Sequence, residues 1–238
     1  MTSTTIRPLT GLDDMDNLRS TAQSVWGSGA DDMVSSDYLM ALAHCGGYIA
    51  GAYSPDGSMI GCSFGMLARH RGDWCLHSHI TGVLPGMQNT GIGTLIKQHQ
   101  REWAIDNGLS AITWTFDPLV RRNAWFNIER LGANAVEFHI NFYGPLNDDI
   151  NGDDETDRLL ARWDIGTDRV RRNEDDALFL ATPEDIVQLR RSDQTSARAW
   201  RLNMREQLSR AFQTHEVTGF TKDGSYVLTP RNSTKGHP

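Results

Sequence analysis

The stretch Val83-Leu84-Pro85-Gly86-Met87-Gln88-Asn89-Thr90-Gly91-Ile92-Gly93-Thr94 decides how this chain is read. Residues 74–84, leading into it, predict a strand. Beyond it, Leu95, Ile96, Trp103 and Ala104 recur at helical spacing until Gly108, which predicts a helix of about four turns from Gly93. Glycines at such a strand-to-helix turn let the backbone approach a ligand closely. The N–H groups of the first helical turn lack intrahelical acceptors and lie at the positive end of the dipole, so the junction predicts a site for phosphate or pyrophosphate. A P-loop requires Lys and Ser/Thr after its second glycine, whereas Gly91 is followed by Ile92 and Gly93. A dinucleotide fingerprint begun at Gly91 would place Ile96 where its third glycine belongs, and the strand before it is not the first element.

Working outward, Thr10 as a cap and Leu12, Met15, Leu18, Ala22 and Val25 predict a helix over 11–26, with a second over 36–44. Residues 47–53 and 59–68 flank Pro55-Asp56-Gly57-Ser58 and predict a hairpin. Downstream, 111–116 alternates like a strand, Asp117-Pro118 breaks it, 121–131 has helical spacing closed by Gly132, and 135–143 predicts the next strand. The acidic run from Asp148 to Asp157 reads as a solvated loop. Strands are then predicted around 159–165 and 177–181. A helix is expected to start at Pro183, a longer one follows with Ala197, Trp200, Met204, Leu208, Ala211 and Phe212 on one face, and a hairpin spans 216–220 and 225–229.

What remains of the loop after these exclusions is Gln88-x-x-Gly91-x-Gly93, following the Val83-x-Pro85 strand end. With the order of predicted elements and the block Asn123 to Ala133, the chain resembles the GNAT superfamily of acyl-CoA-dependent N-acyltransferases. It also resembles a narrower, uncharacterised branch of that superfamily through Trp114-Thr-Phe-Asp-Pro-Leu119, Tyr143-Gly144, Thr156-Asp-Arg158 and Trp200-Arg201 with Arg205-Glu206. Some members of the branch are similar to N-succinyl- or N-acetyltransferases of amino acids, alongside racemases of N-acylated amino acids. The resemblance implies an α/β (α+β) fold with a mixed, mostly antiparallel sheet and helices on both faces. It implies a core over 1–146, a C-terminal extension over 147–231 with a helix pair and hairpin packed on it as one domain, and a loose tail over 232–238.

The resemblance further implies transfer of an acetyl or succinyl group from acyl-CoA to the amino group of a small acceptor such as an amino acid. Acyl-CoA would be a co-substrate, with no permanently bound cofactor. The alternative is a non-catalytic acyl-CoA-binding sensor. Gln88, Asn89, Thr90, Gly91, Ile92, Gly93 and Thr94 would hold the CoA pyrophosphate, and a backbone N–H at Val83 or Leu84 would face the thioester carbonyl. Asn123 caps its helix, touches the pantetheine arm, or does both, and Phe126 is a core residue or a cofactor contact. Many relatives place a tyrosine where this chain has Ile128, so protonation of the thiolate falls to Tyr143 or to water.

Strand alternation places Cys75, His77, His79, Thr81 and Val83 on one face. His79 is then the general-base candidate, its imidazole titrating near pH 6.5; a structural histidine with a backbone partner is the other reading. Cys75-x-His77-x-His79 lacks a completing set for zinc, so no metal is expected. Arg121 and Arg122 suit a carboxylate or solvent. Trp200, Arg201 and Arg205 leave core, substrate and dimer contacts open, and with them a homodimer.

Composition narrows the partners. The 238 residues carry 23 basic and 30 acidic side chains, a net charge of −7, which argues against nucleic acid or an anionic membrane as partner. Charge is uneven: residues 1–157 hold 9 basic and 19 acidic groups (−10), and 158–238 hold 14 and 11 (+3). Three cysteines without CxxC spacing and the absence of an apolar h-region after Met1 lead to the expectation of a reducing cytoplasm. No apolar run approaches the roughly 18 residues of a membrane helix.

Overall fold

The computed structural model describes residues 4–27, 35–144, 154–166 and 176–231. The chain groups into two compact units, and the first division between them falls between Trp114 and Thr115. The first unit contains β1 (Thr5–Pro8), α1 (Leu12–Trp26), α2 (Ser36–His44), β2 (Tyr48–Tyr53), β3 (Met59–His70), β4 (Asp73–Val83), α3 (Ile92–Asp106) and the start of β5 (Ala111–Phe116). Its strands lie in the order β1-β2-β3-β4-β5, antiparallel except for the parallel β4–β5 pair. The expected mixed sheet is present. β1 escaped the sequence reading because four residues are too short to show alternation.

Helices cover both faces of this sheet. α1 and α2 bury Met15, Leu18, Ala22 and Leu39 against Ile49, Cys62, Phe64 and Ile80. α3 places Ile92 and Ile96 against Ala52 and Ile60 on the opposite face. α1 is capped by Gly11 with no side-chain bond, rather than by Thr10 as expected. Thr10 instead donates its N–H to Asp14 at 3.2 Å, a carboxylate held at the positive end of the helix by Arg7 at 3.0 Å.

The second unit contains α4 (Arg121–Ala124), a π-helical turn (Trp125–Arg130), β6 (Asn134–His139), β7 (Arg158–Asp164), β8 (Leu178–Ala181), α5 (Ile186–Ser192), α6 (Gln194–Ala211), β9 (His215–Phe220) and β10 (Ser225–Pro230). Its strands run in the order β7-β6-β9-β10-β8. The continuous helix expected over 121–131 is one α-turn followed by the wider π-turn, in which adjacent Asn127 and Ile128 are both buried. A 3.6-residue pattern cannot express that. The helix expected from Pro183 starts at Ile186, where the Asp185 side chain accepts the Gln188 N–H at 3.0 Å.

The acidic run is not simply wet. Asp154 and Asp117 bind Arg190 and Arg201 in a buried cluster with contacts of 2.5–2.9 Å, and Asp157, 1% exposed, binds Arg205 at 2.7 Å. Paired carboxylates can be buried where unpaired ones cannot. Arg201 and Arg205 therefore hold the second unit together, and residues 148–153 of the run lie outside the described residues, as does the tail over 232–238. Among the described residues no helix is long and apolar enough to cross a membrane.

Candidate functional site

Two backbone features dominate the first unit. The β4–β5 ladder pairs Cys75 with Ala111, Leu76 with Ile112 and His77 with Thr113, and ends there among the described residues, while β4 runs on to Val83. On its other side β4 stays paired with β3 to Gly61–Val83. The Leu84 N–H donates to the Ile60 carbonyl at 3.0 Å, which makes Gly61–Val83 a pair without mutual hydrogen bonds. Val83 and, two residues earlier, Thr81 thus turn their N–H and C=O groups away from β3, toward the side where β5 no longer pairs. Of the two expected carbonyl-facing amides, Leu84 is already engaged and Val83 is the one so directed.

The second feature follows directly. After Leu84 the chain turns through Gly86 (φ 86°), Asn89 (φ 63°) and Gly91 (φ 94°) into α3. Thr90 Oγ1 donates to the Met87 carbonyl at 2.6 Å and the Gln88 side chain reaches the Val83 carbonyl at 3.4 Å. No side chain caps α3, and its first helical bond runs from Leu95 N–H to the Gly91 carbonyl. The N–H groups of Asn89, Gly91, Ile92, Gly93 and Thr94 consequently have no acceptor among the described residues, while the turn at 88–89 draws the Thr90 N–H toward the Met87 carbonyl. At Gly91 it is the left-handed backbone, with no nearby atom to obstruct a Cβ, that demands glycine.

Between the ladder's end and Val83 the alternation expected along β4 fails. Phe64 pairs with Ile80 and Gly65 with Ser78, so His79 is the extra residue of a β-bulge. Below the bulge Cys75 and His77 still alternate, and their side chains meet Thr113. His79 lies 5.4 Å from the Phe64 ring on the α1–α2 face, whereas Thr81 bonds Ser63 and, through Ser78, meets α3. His79 and Thr81 thus point to opposite faces, and a period of two cannot reveal an inserted residue.

His79 is exposed at this bulge, and its partial enclosure lowers its basicity, so it is neutral at neutral pH. His77 is pushed down to about 4 by burial, with His79 and the Lys97 ammonium adding to the effect. Among the described residues no group of three or more His, Cys, Asp or Glu is placed to hold a metal ion. A cavity of about 330 Å³ bordered by Asn17, Ser20, Ser24, Tyr53, Ser58 and Leu84 lies in the same unit. Its helix seryls donate back to backbone carbonyls, and Tyr53 is its one titratable group, so it offers no acid–base pair.

The remaining expected residues lie in the second unit. Tyr143 sits in a turn beyond β6 rather than in a strand, with its hydroxyl 2.9 Å from Thr115 Oγ1 and its ring beneath Arg158. Asn123 does not cap α4; Val120 occupies that position and accepts the Asn123 N–H at 2.9 Å. Phe126 is half-buried in the π-turn and Ile128 is fully buried. Arg121 donates to Thr182 at 3.2 and 2.5 Å, a structural contact.

The sequence reading missed a buried polar cluster on α3. Lys97 and Gln100 meet Ser63 and Ser78 at 2.7–2.9 Å. The signal was present: both residues fall on the buried stripe Ile92, Ile96, Ala104 of the helix.

No protein-family model matches the chain, and no curated protein sequence matches it. Solved structures do. A probable acetyltransferase from Staphylococcus epidermidis superposes with a TM-score of 0.57 at 15% identity, over 68% of this chain and 99% of that one. The ribosomal-protein-S18-alanine N-acetyltransferase of Escherichia coli superposes with a TM-score of 0.55 at 15% identity, over 72% and 99%. An acetyltransferase of the GNAT family from Streptococcus pneumoniae gives 0.53 at 14% identity, over 69% and 100%. The open β4 edge, the uncapped α3 loop and these superpositions converge: the chain has the fold of the GNAT acetyltransferases.

Proposed function

We propose that the chain is an enzyme that transfers an acetyl or succinyl group from acyl-CoA to the amino group of a small acceptor, an amino acid being the class to test first. The observation that supports this reading is the run of backbone without a strand partner from Thr81 and Val83 on β4 into the uncapped start of α3. An extended pantetheine arm can add to an open strand edge as a further strand. The diphosphate that follows it would sit on the uncapped helix start, with Gln88 at the loop's entry. Val83 N–H would polarise the thioester carbonyl as negative charge develops there, a contact worth roughly 3–4 kcal/mol in other enzymes.

His79 would take the proton from the attacking amine. Its partial enclosure lowers the basicity of the imidazole, which favours the neutral form that a base requires. A structural neighbour is named a ribosomal-protein-S18-alanine N-acetyltransferase, so a protein N-terminal amine is the second acceptor class. The sensor reading is favoured by one observation, the buried Ile128 where many relatives carry a tyrosine. Thermal shift against CoA, acetyl-CoA, succinyl-CoA, NAD and ATP tests binding. The CoA ligands alone should stabilise, by about 2.7 kcal/mol at a hundred times Kd. Thiol release with amino acids and short peptides then separates enzyme from sensor: CoA binding without thiol release from any of them would favour the sensor.

A further inference from the structure

Nothing above explains a lysine sealed inside the first unit. Lys97 is 3% exposed and forms no ion pair among the described residues. Its Nζ lies 2.9 Å from Ser78 Oγ and 4.1 Å from the centre of the Trp114 ring. Ser78 Oγ is 3.3 Å from Thr81 Oγ1, and Thr81 is half-buried on the open length of β4. The other protons of the cluster are committed: Gln100 Nε2 donates to Ser63 and Ser78, and Ser63 donates to the Ile80 carbonyl at 2.7 Å. That of Ser78 is free to reverse, and with Ser63 so committed the Thr81 hydroxyl is the donor in its 2.9 Å contact with Ser63 Oγ, from which it must turn to pass its proton on. With Lys97 charged, its N–H points to Ser78, Ser78 to Thr81 and Thr81 to Ser63, so that turning the Thr81 O–H from Ser63 opens the chain outward; with Lys97 neutral, Ser78 donates to Lys97 and Thr81 to Ser78.

We propose that Lys97, acting through the hydroxyls of Ser78 and Thr81, supplies the proton taken up by the CoA thiolate as it departs. This rests on the acyltransferase reading. The thioester C–S bond breaks after the C–N bond forms. Sulfur takes the Thr81 hydroxyl proton, Thr81 takes that of Ser78, and Ser78 takes one from the Lys97 ammonium, leaving a neutral amine. The proton lost by the acceptor nitrogen passes to His79 and then to water, and Lys97 regains a proton from water through the same hydroxyls. The bulge keeps donor and base on opposite faces of β4, so they do not neutralise each other.

The electrostatics suit the role. Burial pushes the Lys97 ammonium down to about 7, below the roughly 8.5 of an ordinary thiol, so transfer to a thiolate runs downhill. From β4 the titratable neighbour is His77, whose basicity the ammonium lowers; α3 contributes the Gln100 amide and β5 the Trp114 ring, and among the described residues no carboxylate opposes them. The relay also requires no tyrosine at Ile128.

An NMR titration and steady-state kinetics test it. An NMR titration of the lysine ζ groups, assigned with Lys97→Met, should place Lys97 near neutrality; a value above about 9 overturns the relay. Thiol release from acetyl-CoA should fall as pH rises through about 7 in the wild type, where the ammonium is lost. Lys97→Met and Lys97→Arg should both lose about 10²-fold in kcat and this basic limb, with KM for acetyl-CoA unchanged, because a guanidinium keeps the charge but does not release its proton. Ser78→Ala, a small change that guards against misfolding of the lysine variants, should lose kcat while Lys97 still titrates near neutrality. Release within about threefold of wild type, with the limb intact, overturns the relay alone. A wild type that neither binds CoA nor releases thiol overturns the acyltransferase reading, and the relay with it.

Discussion

Replacing Asp117 with Asn removes one charge and little else, since the amide keeps the volume and an oxygen able to accept the Leu119 N–H, now at 2.9 Å. In the native cluster Asp117 faces Arg190 at 2.5 Å and Arg201 at 2.8 Å, and Asp154 meets the same two groups at 2.8 and 2.9 Å. Two carboxylates hold these two guanidiniums in direct contact, with the buried Arg158 guanidinium close enough to act on Asp117 as well. In the variant both arginines share Asp154 alone, and Arg201, 1% exposed, cannot recover water without moving α6. Breaking a buried pair of this kind costs about 3–5 kcal/mol, mostly from the charge left uncompensated. Urea unfolding at pH 7 should show that loss. Adding Arg201→Met should cost less than the sum of the two single changes by about 1 kcal/mol or more, because both act on one cluster. Burial by itself would raise the Asp117 carboxyl, but Arg201 and Arg190 outweigh it and hold it below the usual carboxylate range. Its contribution is therefore complete above about pH 4 and is lost as pH falls toward the depressed value. The gap between wild type and variant should narrow on acidification. A loss under about 1 kcal/mol at pH 7 would refute the assignment of the cluster as a stabilising element.

Gly91→Val forces a branched side chain into left-handed backbone, costing about 1–2 kcal/mol, and should abolish the thermal shift produced by CoA while the variant stays folded; a full shift would show that the 89–94 amides do not hold the diphosphate. His79→Ala should reduce thiol release about 10²–10⁴-fold and remove the acid limb of the pH profile, which lies below pH 6.5 because burial lowers this imidazole; a loss under tenfold argues for another base. Gly82→Ala drives its Cβ into the Trp26 ring and should destabilise the first unit by about 1–3 kcal/mol, with partial recovery in a Gly82→Ala, Trp26→Leu double variant measured by urea unfolding.

Sequence pattern alone determined the features that depend on neighbours along the chain. The apolar spacing of α1, the hairpin around Asp56-Gly57, the strand at 111–116 and the glycine-bearing turn into α3 are local, and each lies within about three residues of its expected bounds. The α3 loop was legible for the same reason: free amides at a helix start need only a turn, glycines and no cap.

Tertiary structure alone decided what depends on partners distant in sequence. The bulge at His79 is a mismatch of count between β3 and β4, and it reversed the face on which half of β4 had been placed. The acidic run became a buried anchor because arginines 36 to 50 residues onward reach back to it. Spacing places Lys97 on the buried stripe of α3, but that Ser78 and Trp114 close over it is decided by β4 and β5. Periodicity records which face of an element is buried; only assembly determines which polar groups go in with it, because burying a charge depends on the company it finds there.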